Sequence, residues 1–349
     1  MNNRKKLKQA FLLAVVAFNG LSLEGVVTYW STCKLTTIPK PKELITVADV
    51  HNLRSFALLE KEQLEDFIKR LELHASTCNQ LLHILIESSE AKNQHKEILT
   101  GLIGAVNEKS LKNISIDNAE IRCASAAIIR ILGWIKKGGL LGDIPKEARA
   151  ISGDGRICYL TTVTLQDVID EYYFITTQLK EKFSLINDTK INEIYEDHLS
   201  IIAQQYNEID KLYFKRMSKE ILLKPFVEYL HSTAQYISSS SSLELSEVHY
   251  PEEMGDLMYG IRNVSCDLFD LAIFEKMISS DVSRVMVIAG EDHIARVNGL
   301  ILPLNPEEQM SKGESSRTTK DGCQVVPLQP SKFIFFEKQP EKQAMCILL

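Results

Sequence analysis

The feature that most constrains this chain is a recurrence. Short, β-rich apolar runs are each closed abruptly by ionisable residues, and helical patterns lie between them. Leu44-Ile45-Thr46-Val47-Ala48 ends in Asp49 and His51. Leu81 to Ile86 ends in Glu87, and Ile114-Ser115-Ile116 ends in the segment from Asp117 through Glu120 to Arg122. Val285-Met286-Val287-Ile288-Ala289, the most strand-like run of all, ends in Gly290-Glu291-Asp292-His293. Apolar residues with a period near 3.6 follow the first and third runs: Leu58, Leu59, Leu64, Phe67, Ile68 and Leu71 mark one helix face, and Ala124 to Ile135 forms another helix. Such alternation predicts an α/β fold, with a mostly parallel sheet covered by helices on both faces.

The middle of the chain breaks this rhythm. Thr164 with Asp167 reads as a capping box, and helical periodicity continues to Tyr236 without a β-like run. Residues 160–237 therefore read as a long helical insertion that projects from the sheet domain, as a lid or a surface for a protein partner. The serine run Ser238 to Ser242 reads as a flexible loop. The α/β rhythm resumes with a helix over Asp256 to Ser279 and the run at Val285. The domain is expected to span 38–304. Residues 305–349 mix Gly, Ser, Pro, Lys and Glu and read as a loosely ordered tail, with a short strand at Phe333 to Phe336.

Both ends carry signals that bear on location. Arg4, Lys5, Lys6 and Lys8 precede the apolar run Ala10 to Phe18, so residues 1–23 read as a signal or membrane-targeting segment, and export is the expected route. The run is too short to span a bilayer. Cys346-Ile347-Leu348-Leu349 reads as a C-a-a-X box. This gives an alternative in which a prenyl group on Cys346 anchors the protein to a membrane from a eukaryotic or host cytosol. The two addresses exclude one another, because an exported chain does not meet a cytosolic prenyltransferase.

Bulk composition narrows the functional classes. The formal charge of −6, without a basic stripe interleaved with aromatics, argues against nucleic acid as a partner. The seven cysteines are scattered without a C-x-x-C pair, which indicates neither a zinc knuckle nor a disulfide framework. The Gly-x-Ser-x-Gly elbow, the P-loop and the dinucleotide glycine fingerprint are all absent from the sequence. What remains is the convergence of strand ends. In an open parallel sheet the carboxyl ends of the strands line one edge, where such folds bind ligands, so Asp49, His51, Glu87 and His293 are expected to meet there. His74, His95, His198 and His231 lie on helical stretches and read as surface residues, whereas His83 reads as a satisfied core histidine.

These segments resemble the superfamily of ChaN haem-uptake, erythromycin-esterase and Tiki/TraB proteins. Ala48-Asp49-Val50-His51-Asn52 is similar to that family's first strand end, with Ala and Asp where Gly and Glu are usual. Glu87 is similar to its second. Arg262-Asn263, Val285 to Ala289, the Gly290-Glu291-Asp292-His293 turn and the aliphatic helix Val297 to Leu302 resemble its C-terminal part. The resemblance covers about residues 44–122 and 256–302 and leaves the helical insertion unmatched.

It implies a hydrolase of ester or peptide bonds acting on a small-molecule or peptide substrate. His51 is then a general base or ligand, His293 a second ligand or electrophile, Asp49 and Glu87 ligand or orienting carboxylates, and Arg262 a clamp for an oxyanion or substrate carboxylate. A metal on His51, Glu87 and His293 would be a divalent Mn, Co, Zn or Fe. The alternative on the same fold is a non-catalytic protein that binds a ligand such as haem, or an effector that contacts a host partner.

Overall fold

The computed structural model describes residues 25–35, 42–51, 57–88, 98–136, 140–238, 252–304, 317–318 and 324–325. The N-terminal segment, His95, His249, the run at Phe333 and Cys346 lie outside these residues, as do the side chains of Asp49 and His51.

The chain is α/β. Its main sheet contains β1 (Gly25–Leu35), β2 (Lys42–His51), β3 (Leu82–Ile86), β4 (Ile114–Asn118) and β7 (Arg284–Gly290), in the spatial order β1-β2-β7-β3-β4. β2, β7, β3 and β4 run parallel, and β1 closes one edge antiparallel to β2. The sheet thus begins at Gly25, earlier than residue 38. Between them β5 (Arg149–Ile151) and β6 (Ile157–Tyr159) form a separate hairpin, and β8 (Arg317–Thr318) pairs with β9 (Gln324–Val325).

Alternation along the strands explains the two covered faces. Val285, Val287 and Ala289 of β7, with Leu44 and Ala48 of β2 and Leu85 of β3, belong to the larger core cluster. That face packs on α3 (Ala124–Lys136), α8 (Glu252–Ser279) and α9 (Glu291–Ile301) through residues such as Ile128, Phe274 and Val297. Met286, Ile288, Ile45, Val47, Ile84 and Ile86 turn the other way, onto Phe67 and Leu71 of α1 (Ala57–Thr77) and Leu102 and Val106 of α2 (Ile98–Lys109). β7 is apolar on both faces because it is the central strand.

The stretch 160–237 is helical, as its periodicity predicts. It comprises α4 (Leu165–Ser184), α5 (Thr189–Leu212), the short α6 (Lys219–Leu222) and α7 (Phe226–Ser238), and the Thr164–Asp167 capping box is formed. It does not project from the domain. Ile175, Leu179, Phe183, Ile191, Tyr195, Ile202, Tyr206 and Ile209 join the larger core cluster, and the Phe183 and Phe274 rings stack with centroids 6.2 Å apart. The reason lies in α8. From Leu268 to Ile278 all but one residue is buried, so one flank lies on the sheet and the other needs an apolar cover, which α4 and α5 supply.

His74 also departs from expectation. It is fully buried, one step along the stripe of Phe67 and Leu71, and its Nε2 lies 3.1 Å from the Gln80 carbonyl. His198 and His231 are exposed as expected. His83 is satisfied by Asp117 Oδ2 at 2.9 Å and Ser280 Oγ at 3.2 Å.

Candidate functional site

Three parallel strands deliver polar groups to one edge of the sheet. Glu87 directly follows β3, and its backbone N–H donates to the Ile288 carbonyl of β7 at 3.0 Å. Its carboxylate then bridges the neighbouring strand ends. Oε2 accepts the Gly290 N–H at 2.9 Å, and Oε1 accepts from Nη2 of Arg122 at 2.9 Å. Gly290 is the N-cap of α9 and lacks a side chain to cap with, so Glu87 places a negative charge at that helix's positive end. The pairing of β3 with β7 thereby fixes where α9 begins.

β4 leads through Asn118 to Glu120 and Arg122. Asn118 Oδ1 accepts the N–H groups of Ser88 at 3.2 Å and Glu120 at 2.9 Å, tying the segments after β3 and β4 together. The Glu120 carboxylate receives the Arg122 N–H at 2.7 Å, Nε at 2.8 Å and Nη2 at 2.7 Å. The guanidinium sits 4.2 Å above the Phe269 ring. Burial alone would weaken its charge, but Glu120, Cys266 and Glu87 hold its pKa well above the ordinary value, so Arg122 is a fixed cation. Its position is secured from behind. Glu171 of α4 accepts the N–H groups of Cys123 at 2.5 Å, Ala124 at 2.7 Å and Ser125 at 3.0 Å, which fills the open donors of α3 directly after Arg122.

The third strand end brings His293, the third residue of α9. Its Nε2 lies 3.5 Å from Glu87 Oε1, and its Nδ1 bonds to Asp270 of α8. Arg296, one turn further along α9, reaches the other Asp270 oxygen. The Phe269 ring meets the imidazole edge-on, with centroids 4.8 Å apart. On the same face of α8, one turn before Asp270, Cys266 accepts from Arg122 Nη1 at 3.5 Å and stands near His293. Burial opposes a charge on His293, but Glu87, Asp270 and Cys266 outweigh it and push the imidazole up to about 10. The Cys266 thiol responds in the opposite sense: burial would raise it, yet His293 and Arg122 bring it below the ordinary range.

Of the residues singled out from sequence, Glu87 and His293 meet. Backbone pairing of Asp49 with Gly290 puts the end of β2, including His51, on the same sheet edge as His293. The Asp49 and His51 side chains lie outside the described residues. Arg262 is half-buried on α8, one turn before Cys266, and the guanidinium at Glu87 is that of Arg122. Arg122 was visible as an ionisable residue closing the third run. Asp270, Cys266 and Arg296 carried no comparable signal, because two helices in contact leave no fixed spacing between their residues.

For a metal, the described residues offer Glu87 and His293, but no three His, Cys, Asp or Glu side chains among them are grouped to hold an ion. Both Glu87 oxygens and His293 Nδ1 have protein partners, one of them the Arg122 guanidinium. The third donor expected from sequence, the His51 side chain, lies outside the described residues.

No family model, curated protein or solved structure matches the chain. Among the described residues no helix is long and apolar enough to cross a membrane.

Proposed function

We propose that the chain is a hydrolase of ester or peptide bonds, with its reaction centred on His293. The observation that carries this reading is the double tether of one imidazole: Asp270 holds Nδ1, while Nε2 is directed toward Glu87 beside a buried cation. A histidine fixed by a carboxylate at one nitrogen has a defined ring orientation and one nitrogen from which to pass a proton. Arg122, held between Glu120 and Glu87, is the buried cation that would face charge developing on a carbonyl oxygen during acyl transfer. Such a site suits a small or peptidic acyl substrate entering from the carboxyl edge of the sheet. The resemblance to the erythromycin-esterase and Tiki/TraB group points the same way.

The test is turnover of a panel of nitrophenyl esters and short peptides, with and without EDTA and with added Mn, Co or Zn. We expect hydrolysis that His293→Gln reduces by at least about a hundredfold. Equal rates for the wild type and His293→Gln on every substrate would refute the reading. Activity that is abolished by EDTA and restored by one metal would bring back the ligand role first expected for His51, Glu87 and His293.

A further inference from the structure

We propose that Cys266 is the nucleophile of this site, so that acyl transfer passes through a thioester on its sulfur. The inference rests on the hydrolase reading above and goes further, because that reading is equally compatible with direct attack by water.

The geometry is that of an activated thiol. Cys266 and Asp270 stand one turn apart on α8, so their side chains share a face. His293 enters that face from α9. Asp270 holds its Nδ1, Nε2 lies 3.5 Å from Glu87 Oε1, and Cys266 stands near enough to the same imidazole that each group shifts the other's titration. A nucleophile, a base beside it and a third group orienting the base is the pattern of covalent acyl transfer. Arg122 adds a second positive group, with Nη1 3.5 Å from the sulfur. Cys266 is half-buried.

The other described cysteines lack this setting. Cys33 is buried and its thiol is pushed up to about 12. The Cys123 thiol donates to the Ala150 carbonyl at 3.4 Å, and the neighbouring Cys158 and burial raise its pKa. Cys266 alone among them has both an imidazole and a guanidinium at its sulfur. The raised imidazole and the lowered thiol both shift in the direction that favours the thiolate, which is the reactive form.

The steps balance as follows. The Cys266 thiolate attacks the acyl carbon, and the C–O or C–N bond to the leaving group breaks. The His293 imidazolium gives its proton to the departing alkoxide or amine. A water then attacks the thioester, passing one proton to His293, and the C–S bond breaks to release the carboxylic acid and restore the thiolate. No oxidant or other co-reactant is required. Asp270 is a positioning residue that acts through His293.

The experiment uses the whole chain. After brief reaction with nitrophenyl acetate and an acid quench, peptide mapping by mass spectrometry is expected to find acetyl on Cys266, removable by hydroxylamine. Iodoacetamide should alkylate Cys266 at least about tenfold faster than Cys33, Cys78 or Cys123, and this advantage should vanish in His293→Gln. Asp270→Ala should lose it as well, and Asp270→Glu should recover part of it. Cys266→Ala should abolish ester turnover while unfolding at nearly the wild-type urea midpoint. Full turnover by Cys266→Ala together with a dead His293→Gln would overturn the nucleophile and leave the hydrolase standing. Acetyl found only on Cys158 would also overturn it. Rapid, His293-dependent alkylation of Cys266 without turnover of any ester would sustain the activated thiol and defeat the hydrolase reading.

Discussion

Nη2 of Arg122 lies 2.9 Å from Oε1 of Glu87, and the same guanidinium spans both oxygens of Glu120. One cation thus joins the ends of β3 and β4, with 1% of Glu120 exposed. A planar fork suits this arrangement, and an ammonium does not. Removing the cation would leave two carboxylates facing each other with little water. We expect Arg122→Met to lose about 3–5 kcal/mol of stability in urea unfolding. Arg122→Lys should recover part of that loss while keeping ester turnover well below wild type. A variant as stable as the wild type would mean that the carboxylates find water instead.

Gly153 presses on this network from the β5–β6 hairpin. Its N–H donates to the Glu120 carbonyl at 2.5 Å, and a Cβ there would collide with the Asn118 carbonyl oxygen. That neighbour is backbone and cannot swing away, so Gly153→Ala must displace either the hairpin or the segment that carries Glu120 and Arg122. A stability loss of about 1–3 kcal/mol is expected. A fall in kcat/KM should accompany it, since small displacements at a reacting centre are costly. Gly153→Ala with wild-type kcat/KM would show that the hairpin moves and the site does not.

Glu171 offers a separation of structure from chemistry. It fills the N-terminus of α3 and touches neither His293 nor Glu87, yet it fixes the residue after Arg122. Glu171→Gln keeps one acceptor and turns an N–H₂ toward backbone donors. We expect a loss of about 1–3 kcal/mol in unfolding free energy, with turnover of the folded fraction little changed. Turnover falling more than tenfold at unchanged stability would place Glu171 in the chemistry.

How much of this was legible follows from what fixes each piece. The runs at Leu44, Leu81 and Val285 announced strands enclosed by the sheet, which are apolar nearly throughout, and Ile114-Ser115-Ile116 announced the alternating edge strand that completes the parallel set. Parallel topology then brings strand ends together, which is why Glu87, Arg122 and His293 could be read as neighbours in advance. β1 was not read, because it follows directly on the apparent N-terminal address, without alternation strong enough to mark it. α2 was missed because Gly101 and Gly104 weaken its helical signal. Cys266 and Asp270 were invisible for a different reason. Their i, i+4 spacing acquires meaning only when α9 lies against α8, and helix-to-helix contact leaves no trace in a single sequence. The packing of residues 160–237 was misread as projection because their periodicity shows an apolar stripe but not what covers it.

His74 gives a prediction independent of the site. Burial, with Arg284 nearby, holds its imidazole down at about 4, although the hydrogen bond to Gln80 opposes the shift. In the unfolded chain the same group titrates near 6.5, within the ordinary range. Between these values the unfolded state binds a proton that the native state refuses, so stability must fall as pH drops from about 6.5 to about 4 and level off below that. The contribution is at most about 3 kcal/mol. His74→Gln removes the titrating group. Whatever the variant's absolute stability, its unfolding free energy should fall less steeply than the wild type's across this window, as measured by urea unfolding at successive pH values. Parallel curves for the two proteins would mean that His74 takes up its proton without unfolding, and that its buried position opens readily to water.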